Sequence, residues 1–397
     1  MFELLDTLPP DPILGLMSAY RADPHLQKID LGVGVYRDEA GETPILRAVR
    51  EAQHHHIEKE QTKSYIGPPG TPGFNQAIRQ LMFGRDHAVL SEQRLAGVQT
   101  PGGCGALRVA AELLKRARPD TTIWVSDPTW ANHIPLLGSA GLNIKPYPYY
   151  DRTTHGLNAE AMMLGLGETE PGDVVLMHGC CHNPSGVDLK AEHWATVADI
   201  VNDRGLTPFL DLAYQGLGDG LTEDAHGVRV LASRCAELIV ASSCSKNFGL
   251  YRERVGALQI VACSTEGAET VQSQLESVVR GIYSMPPSHG AAIVETILND
   301  EAMNASWIEE LTQMRDRING LRELLADRLS ETTGRDFGFI RDQRGMFSFL
   351  GIFPEQIARL REEFGIYMVD SSRINVAGIN PANLEYFIEA MGRTLNA

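Results

Sequence analysis

Short runs of β-branched and apolar residues at 122–126, 173–178, 207–211, 238–242 and 255–261 alternate with segments of helical period, such as 105–116 and 193–203. This alternation constrains the fold more tightly than any other feature. Strands joined by helix-length crossovers pair in parallel, and a parallel sheet needs helices on both faces. The pattern therefore predicts an α/β architecture with a mostly parallel sheet covered by helices. A long helix is predicted over 300–332, where Trp307, Leu311, Met314, Ile318, Leu321, Leu325 and Leu329 form one stripe. Past it the pattern changes. Strand-like 345–351, a helix at 354–364 and short runs at 366–369 and 374–376 predict a second, smaller α+β unit. Residues 1–13 carry Phe2, Leu4, Leu5 and Leu8 ahead of Pro9 and Pro10, an arm expected to be exposed unless it docks on something such as a second subunit.

At 397 residues the chain has room for about two domains. Its net charge of −16 argues against a nucleic-acid backbone or an anionic membrane as the main partner. No apolar run approaches the roughly 18 residues a membrane span needs. The acidic start Met1-Phe2-Glu3-Leu4-Leu5-Asp6 resembles neither a secretory signal nor a transit peptide, so a cytoplasmic location is expected. The six cysteines show no disulfide framework and read as reduced thiols. His178-Gly179-Cys180-Cys181-His182 packs four potential ligands into five residues but lacks the distant second pair of a zinc site, so no metal is expected. His54-His55-His56 is expected on a solvated helix face.

Three segments carry chemistry. Ser243-Cys244-Ser245-Lys246-Asn247-Phe248-Gly249-Leu250-Tyr251-Arg252-Glu253-Arg254-Val255-Gly256 follows the apolar run 238–241. Lys246 there could hold an aldehyde as a Schiff base while Ser243 and Arg254 grip a phosphate, a pairing that suits pyridoxal 5′-phosphate; equally, Lys246 could be a surface lysine in a turn. Gln99-Thr100-Pro101-Gly102-Gly103-Cys104-Gly105 is a glycine-rich turn opening a helix, and it matches neither a Walker loop nor a dinucleotide fingerprint. It suits a phosphate cradle or simple close packing. Asp211 ends a buried-looking strand, where open α/β sheets bind ligands; it could pair with a protonated pyridine nitrogen or cap a helix. Asn183-Pro184-Ser185-Gly186 reads as a turn, and Trp130 as core or as a plate over a planar ring.

Together these segments resemble the class I aspartate/aromatic aminotransferases of the pyridoxal-phosphate fold-type I group, from Leu31-Gly32-Val33-Gly34-Val35-Tyr36-Arg37 to Ser372-Arg373-Ile374-Asn375. The resemblance implies a large domain (45–313) with a seven-stranded sheet, a small α+β domain in two parts (14–44 and 314–397), an N-terminal arm (1–13), and a homodimer with shared active sites. It implies that Lys246 forms the internal aldimine and acts as the base in a ping-pong reaction. Asp211, backed by His133, would pair with the ring nitrogen, Trp130 stack on the ring, and Tyr214 and Asn183 bond its phenolic oxygen. Gly103, Cys104, Ser243 and Arg254 would hold the phosphate, with Tyr65 from the neighbouring subunit. Gly34, Trp130, Asn183 and Arg373 would meet the substrate's α-carboxylate end, and Arg280 would reach across the dimer to a distal carboxylate.

Cys104 stands where the family usually has Thr or Ser, and Met285 where it has Asn or Ser, beside the Arg280 end of the pocket. Met285, with the segments around Trp130 and Asp211, leans toward an aromatic-amino-acid transaminase that also takes aspartate and glutamate, with 2-oxoglutarate as the second substrate. Val35 and Thr43 lean toward an aspartate aminotransferase proper. A pyridoxal-phosphate β-lyase or decarboxylase, a non-catalytic binding protein on this scaffold and an NAD-linked dehydrogenase are the competing classes.

Overall fold

The computed structural model describes residues 1–7 and 12–396. Its centre is a seven-stranded sheet. The strands in chain order are β1 (Leu95–Pro101), β2 (Thr122–Asp127), β3 (Asn143–Pro148), β4 (Val174–His178), β5 (Thr207–Leu212), β6 (Leu238–Ser243) and β7 (Val255–Val261). They lie in the order β1-β7-β6-β5-β4-β2-β3. Strands β2 to β6 pair in parallel, and β7 alone runs antiparallel to both neighbours. The expected mostly parallel sheet of seven strands is what forms. The strands β4, β6 and β7 are buried along their whole length, the composition a sheet covered on both faces requires.

Two strands escape the sequence pattern for physical reasons. Strand β3 is an edge strand with Pro146 and Pro148 and three exposed side chains among the first four positions, so it lacks an apolar run. Strand β1 is buried over 96–100 but breaks its apolar run with Gly97, Gln99 and Thr100. The helix that follows β1 starts at Gly102 rather than 105 and runs to Ala117 (α1). Register then sets the site. His178 pairs with Asp211, Asp211 with Ala241, Gly256 with Ser243, and Val255 with Pro101. Because β7 runs antiparallel to β6, it starts where β6 ends, so Arg254 joins the residues at the carboxyl edge.

The long helix α2 (Glu301–Thr333) is capped at its start by Asp300, which accepts from Met303 N at 2.9 Å, and closed by Gly334 at φ +67. Its first half buries Met303, Trp307, Leu311, Met314 and Ile318 in the core beside the large sheet. Its second half buries Leu325, Ala326 and Leu329 in a separate core with Ile29, Leu31, Phe364, Ile374 and Phe387. The predicted stripe departs at one step: Leu321 is only partly buried, and Arg322 takes the inward position. In the C-terminal region the helix Pro354–Phe364 forms as expected, while the strand expected over 345–351 contracts to Phe347–Phe349, paired antiparallel with Arg373–Asn375. In the arm, Phe2, Leu4 and Leu5 are exposed, whereas Leu8, Pro9 and Pro10 lie outside the described residues. The expected solvated histidine face holds at His54, but His56 packs edge-on against His289 at 5.2 Å.

Trp307 ties α2 to the floor of the site. Its indole stacks on Phe248 at 4.3 Å and donates to Asn247 O at 2.7 Å, and Asn247 in turn donates to Gln215 O, one residue beyond Tyr214. Trp307→Ala removes a fully buried ring and should lower stability by about 3–5 kcal/mol, read as a shift of the urea midpoint at constant slope.

Candidate active site

A cleft of about 260 Å³ opens at the carboxyl edge of the sheet. Asp211 lies inside β5, not at a helix start, so it caps nothing. Its Oδ2 receives His133 Nε2 at 3.1 Å, and His133 Nδ1 meets Thr129 Oγ1 at 2.8 Å. Burial pushes the Asp211 carboxyl upward, but the hydrogen bond from His133 and the electrostatic pull of His133 and Lys246 outweigh it and leave the pKa lowered. Asp211 is therefore a buried carboxylate that stays ionised, with Oδ1 left for a donor in the cleft.

Lys246 projects into the same cleft from the loop after β6, with Nζ 4.6 Å above the centre of the Tyr214 ring. Desolvation lowers its pKa, aided by Arg254 and opposed by Asp211. Tyr214 is buried, and its phenol is pushed well up by burial. Trp130 lines the cleft and meets His133 edge-on at 5.3 Å.

One corner is built for an anion. Helix α1 begins at Gly102 and Gly103, directing free amides and the positive dipole end toward the cleft. Gly102 has φ +73, and a Cβ there would lie 2.4 Å from Arg254 Nη2. Ser243 Oγ donates to Ser245 Oγ at 3.0 Å, and Arg254 Nη1 donates to Tyr251 O at 2.8 Å. Among the described residues Arg254 meets no carboxylate. Cys104 sits beside them with its Sγ 3.8 Å from Asn132 Nδ2, its pKa raised by burial.

At the opposite corner Arg373 is 5% exposed, and burial lowers its pKa. It donates to Gly32 O at 2.7 Å and to Asn183 Oδ1 at 3.2 Å, and its guanidinium lies 4.3 Å above the Phe347 ring. The Asn183–Pro184 bond is cis. Gly34 lines this corner; a Cβ there would meet the Phe347 ring at 2.7 Å.

The structure thus brings together Gly34, Gly103, Cys104, Trp130, Asn183, Asp211, Tyr214, Ser243, Lys246, Arg254 and Arg373, with His133 directly behind Asp211. It does not bring in Tyr65, which is 92% exposed, or Arg280, which is exposed and donates to Ser284 Oγ. Neither lines the cleft of a single chain. Among the lining residues without an isolated signal in the sequence are Tyr251, Phe347 and His178. Tyr251 was legible inside the lysine motif; its hydroxyl accepts from Tyr36 N at 2.8 Å. His178 stands in the cluster weighed above only for metal. Its ring lies 4.3 Å from that of His182, which is held by Ser126 and Ser185.

With this geometry established, comparison with known proteins is direct. Residues 27–391 match the aminotransferase class I and II model, and the chain belongs to that family. It is 49% identical over 392 residues to an aspartate aminotransferase of Salmonella typhi, covering 98% of this chain and 99% of that one. It is 48% identical over 383 residues to an aromatic-amino-acid aminotransferase of Paracoccus denitrificans, covering 96% of each. An aromatic-amino-acid aminotransferase of Burkholderia pseudomallei, solved covalently bound to pyridoxal phosphate, superposes with a TM-score of 0.97 at 44% identity, covering 100% of this chain and 99% of that one.

The buried histidines give a pH signature. Burial, with neighbouring imidazoles, pushes His178 down to about 3 and His182 well below its usual value. Both stay neutral in the fold, whereas the unfolded chain protonates them below about pH 6.5. Unfolding therefore takes up protons as pH falls, so this contribution is whole above about pH 6.5 and is lost progressively below it. Each group steepens the loss by up to about 1.4 kcal/mol per pH unit. His178→Leu should shrink the difference in urea stability between pH 7.5 and pH 5; an unchanged difference would mean His178 already carries a proton in the fold.

Proposed function

We propose that this chain is a pyridoxal-phosphate-dependent transaminase that exchanges the amino group of tyrosine or phenylalanine with 2-oxoglutarate and also accepts aspartate and glutamate. The carrying observation is the convergence, in one cleft, of a lysine of lowered pKa, a buried ionised carboxylate, a cationic corner at a helix N-terminus and a buried arginine that meets no carboxylate among the described residues.

The residues fit that cofactor. The glycine amides of α1, Ser243 and Arg254 offer donors and positive charge for a phosphate, and the closeness of Gly102 to Arg254 leaves no room for a side chain there. Asp211 would hold a protonated ring nitrogen, Trp130 would cover one ring face, and Asn183 and Tyr214 would bond the phenolic oxygen. Bound there, the cofactor supplies an electron sink for the substrate's α-carbon and carries the amino group between the two half-reactions. Lys246 Nζ is the base that takes the α-proton, because its lowered pKa gives a larger share of neutral amine. His133 keeps Asp211 oriented and charged. Arg373 receives the α-carboxylate bidentately, with Asn183 at its side and Gly34 leaving the approach open.

The exposure of Tyr65 and Arg280 supports a shared site in a homodimer, in which each reaches the partner's cleft. The exposed Phe2, Leu4 and Leu5 suit the same assembly. We take the segments 14–44 and 314–397 as one small domain and 45–313 as the large one, on the support of the two hydrophobic cores that α2 joins. A cytoplasmic location agrees with free cysteines throughout.

An aspartate aminotransferase proper is the second reading, favoured by Arg280 and by the near-equal identity to relatives of both names. Arg280 is exposed in the single chain, so an apolar substrate side chain strands no buried charge unless the partner covers it. Half-buried Met285 adds an adaptable apolar wall beside it.

Comparable kcat/KM for phenylalanine, tyrosine and aspartate with saturating 2-oxoglutarate is expected; aspartate faster by orders of magnitude would select the second reading. Lys246→Ala should abolish turnover, and wild-type rates in that variant would refute the role of Lys246. Cys104→Ser replaces a weak donor by a hydroxyl and should tighten cofactor binding by about 0.5–1.5 kcal/mol, read as a lower Kd on titrating the apoprotein.

A further inference from the structure

Arg322 is 1% exposed and lies on α2 where the apolar stripe passes from one core to the other. No carboxylate pairs with it among the described residues. Instead its guanidinium collects one loop: Nη2 donates to Arg344 O at 3.2 Å, Gly345 O at 2.6 Å and Phe347 O at 2.5 Å, while Nη1 reaches Ile340 O at 3.4 Å and Gln343 Oε1 at 3.5 Å. Burial lowers its pKa to about 9, so it remains a cation at neutral pH, solvated by carbonyl dipoles rather than by a counter-ion.

The collected loop touches the substrate-carboxylate corner at three points. Arg344 N donates to Gly186 O at 2.7 Å, fixing the turn that begins at Asn183. Gly186 approaches Phe347 O so closely that a Cβ would lie 2.4 Å from it. The Phe347 ring lies under the Arg373 guanidinium, against Gly34 and edge-on to Tyr214 at 6.1 Å. Among the described residues Arg373 itself has two protein acceptors, so its position depends on the ring beneath it and on Asn183 beside it.

We infer that Arg322 is a positioning residue for carboxylate binding: by drawing the carbonyls of residues 340–347 onto one buried guanidinium, it sets the Phe347 ring under Arg373 and holds the Asn183 turn in place. The inference rests on the proposed role of Arg373. An arginine that served stability alone would leave carboxylate affinity in the folded protein untouched.

The test is the equilibrium Kd of succinate and of 3-phenylpropanoate, carboxylates without a transferable amino group, on the pyridoxal-phosphate-loaded protein, read from the cofactor's visible absorbance. Arg322→Lys keeps the charge but not the planar fork, and should weaken both carboxylates by about tenfold or more while the cofactor content per chain is unchanged. Phe347→Leu, which keeps the backbone carbonyl and removes the ring, should reproduce that loss. Wild-type affinity in a folded Arg322→Lys overturns the inference even if the variant is less stable. If Arg322→Lys does not fold, Phe347→Leu decides, and wild-type affinity there overturns it too. A wild-type protein that retains no pyridoxal phosphate, or responds to neither carboxylate, overturns the proposed function itself and the inference with it.

Discussion

A carboxylate kept charged inside the protein is the constraint around which the cleft is arranged. Asp211 sits at the end of a central strand, where water cannot solvate it, and an isolated buried charge would simply take up a proton. It stays ionised because His133 donates to it and because cationic groups surround the cleft. That requirement reaches outward. His133 is held by Thr129, while the ring it meets edge-on, Trp130, is also a wall of the cleft. Lys246, drawn toward Asp211 but desolvated, ends with a lowered pKa rather than a raised one.

The same logic explains how a chain with a net charge of −16 builds an anion-binding cleft. Among the described residues Arg254 and Arg373 have no carboxylate partner and are held by oxygen acceptors: Tyr251 O for one, Gly32 O and Asn183 Oδ1 for the other. A carboxylate partner would neutralise each arginine and close it to ligands. Carbonyl dipoles orient the guanidinium and leave its charge available. Arg322 is solvated in the same way but reaches no cavity, so its charge is spent on the loop around it.

What could be read from the sequence follows from what is local. Parallel strands buried on both faces announce themselves as apolar runs, so five of the seven strands and the α2 stripe were legible. Asp211, Lys246 and Arg254 stand in segments whose residue types point to one chemistry, and family resemblance supplied Arg373 and Asn183, which are far apart in the chain. Strands β1 and β3 were hidden by glycine, polar residues and proline. Phe347 and Arg322 were hidden for a deeper reason. A phenylalanine in a short strand and an arginine among helix apolars have unremarkable neighbours, and their roles arise only when α2, the 340–347 loop and the strand Arg373–Asn375 are packed together.

The two ends of the cleft also differ in what determines them. At the proposed carboxylate end, Arg373, Asn183, Gly34 and Phe347 of the one chain are locked by short contacts. The residues that would read the substrate's side chain, Arg280 and Met285, lie outside the single-chain cleft, and Arg280 donates there to Ser284 Oγ. Recognition of an amino acid as an amino acid is therefore a property of the fold. On the proposed reading, choice among side chains falls to Arg280 and Met285, whose contacts can change without disturbing Asp211, Lys246 or the phosphate corner. On that reading, a common end fixed by the fold and a distal end outside the single-chain cleft accord with the near-equal similarity to aspartate and aromatic aminotransferases.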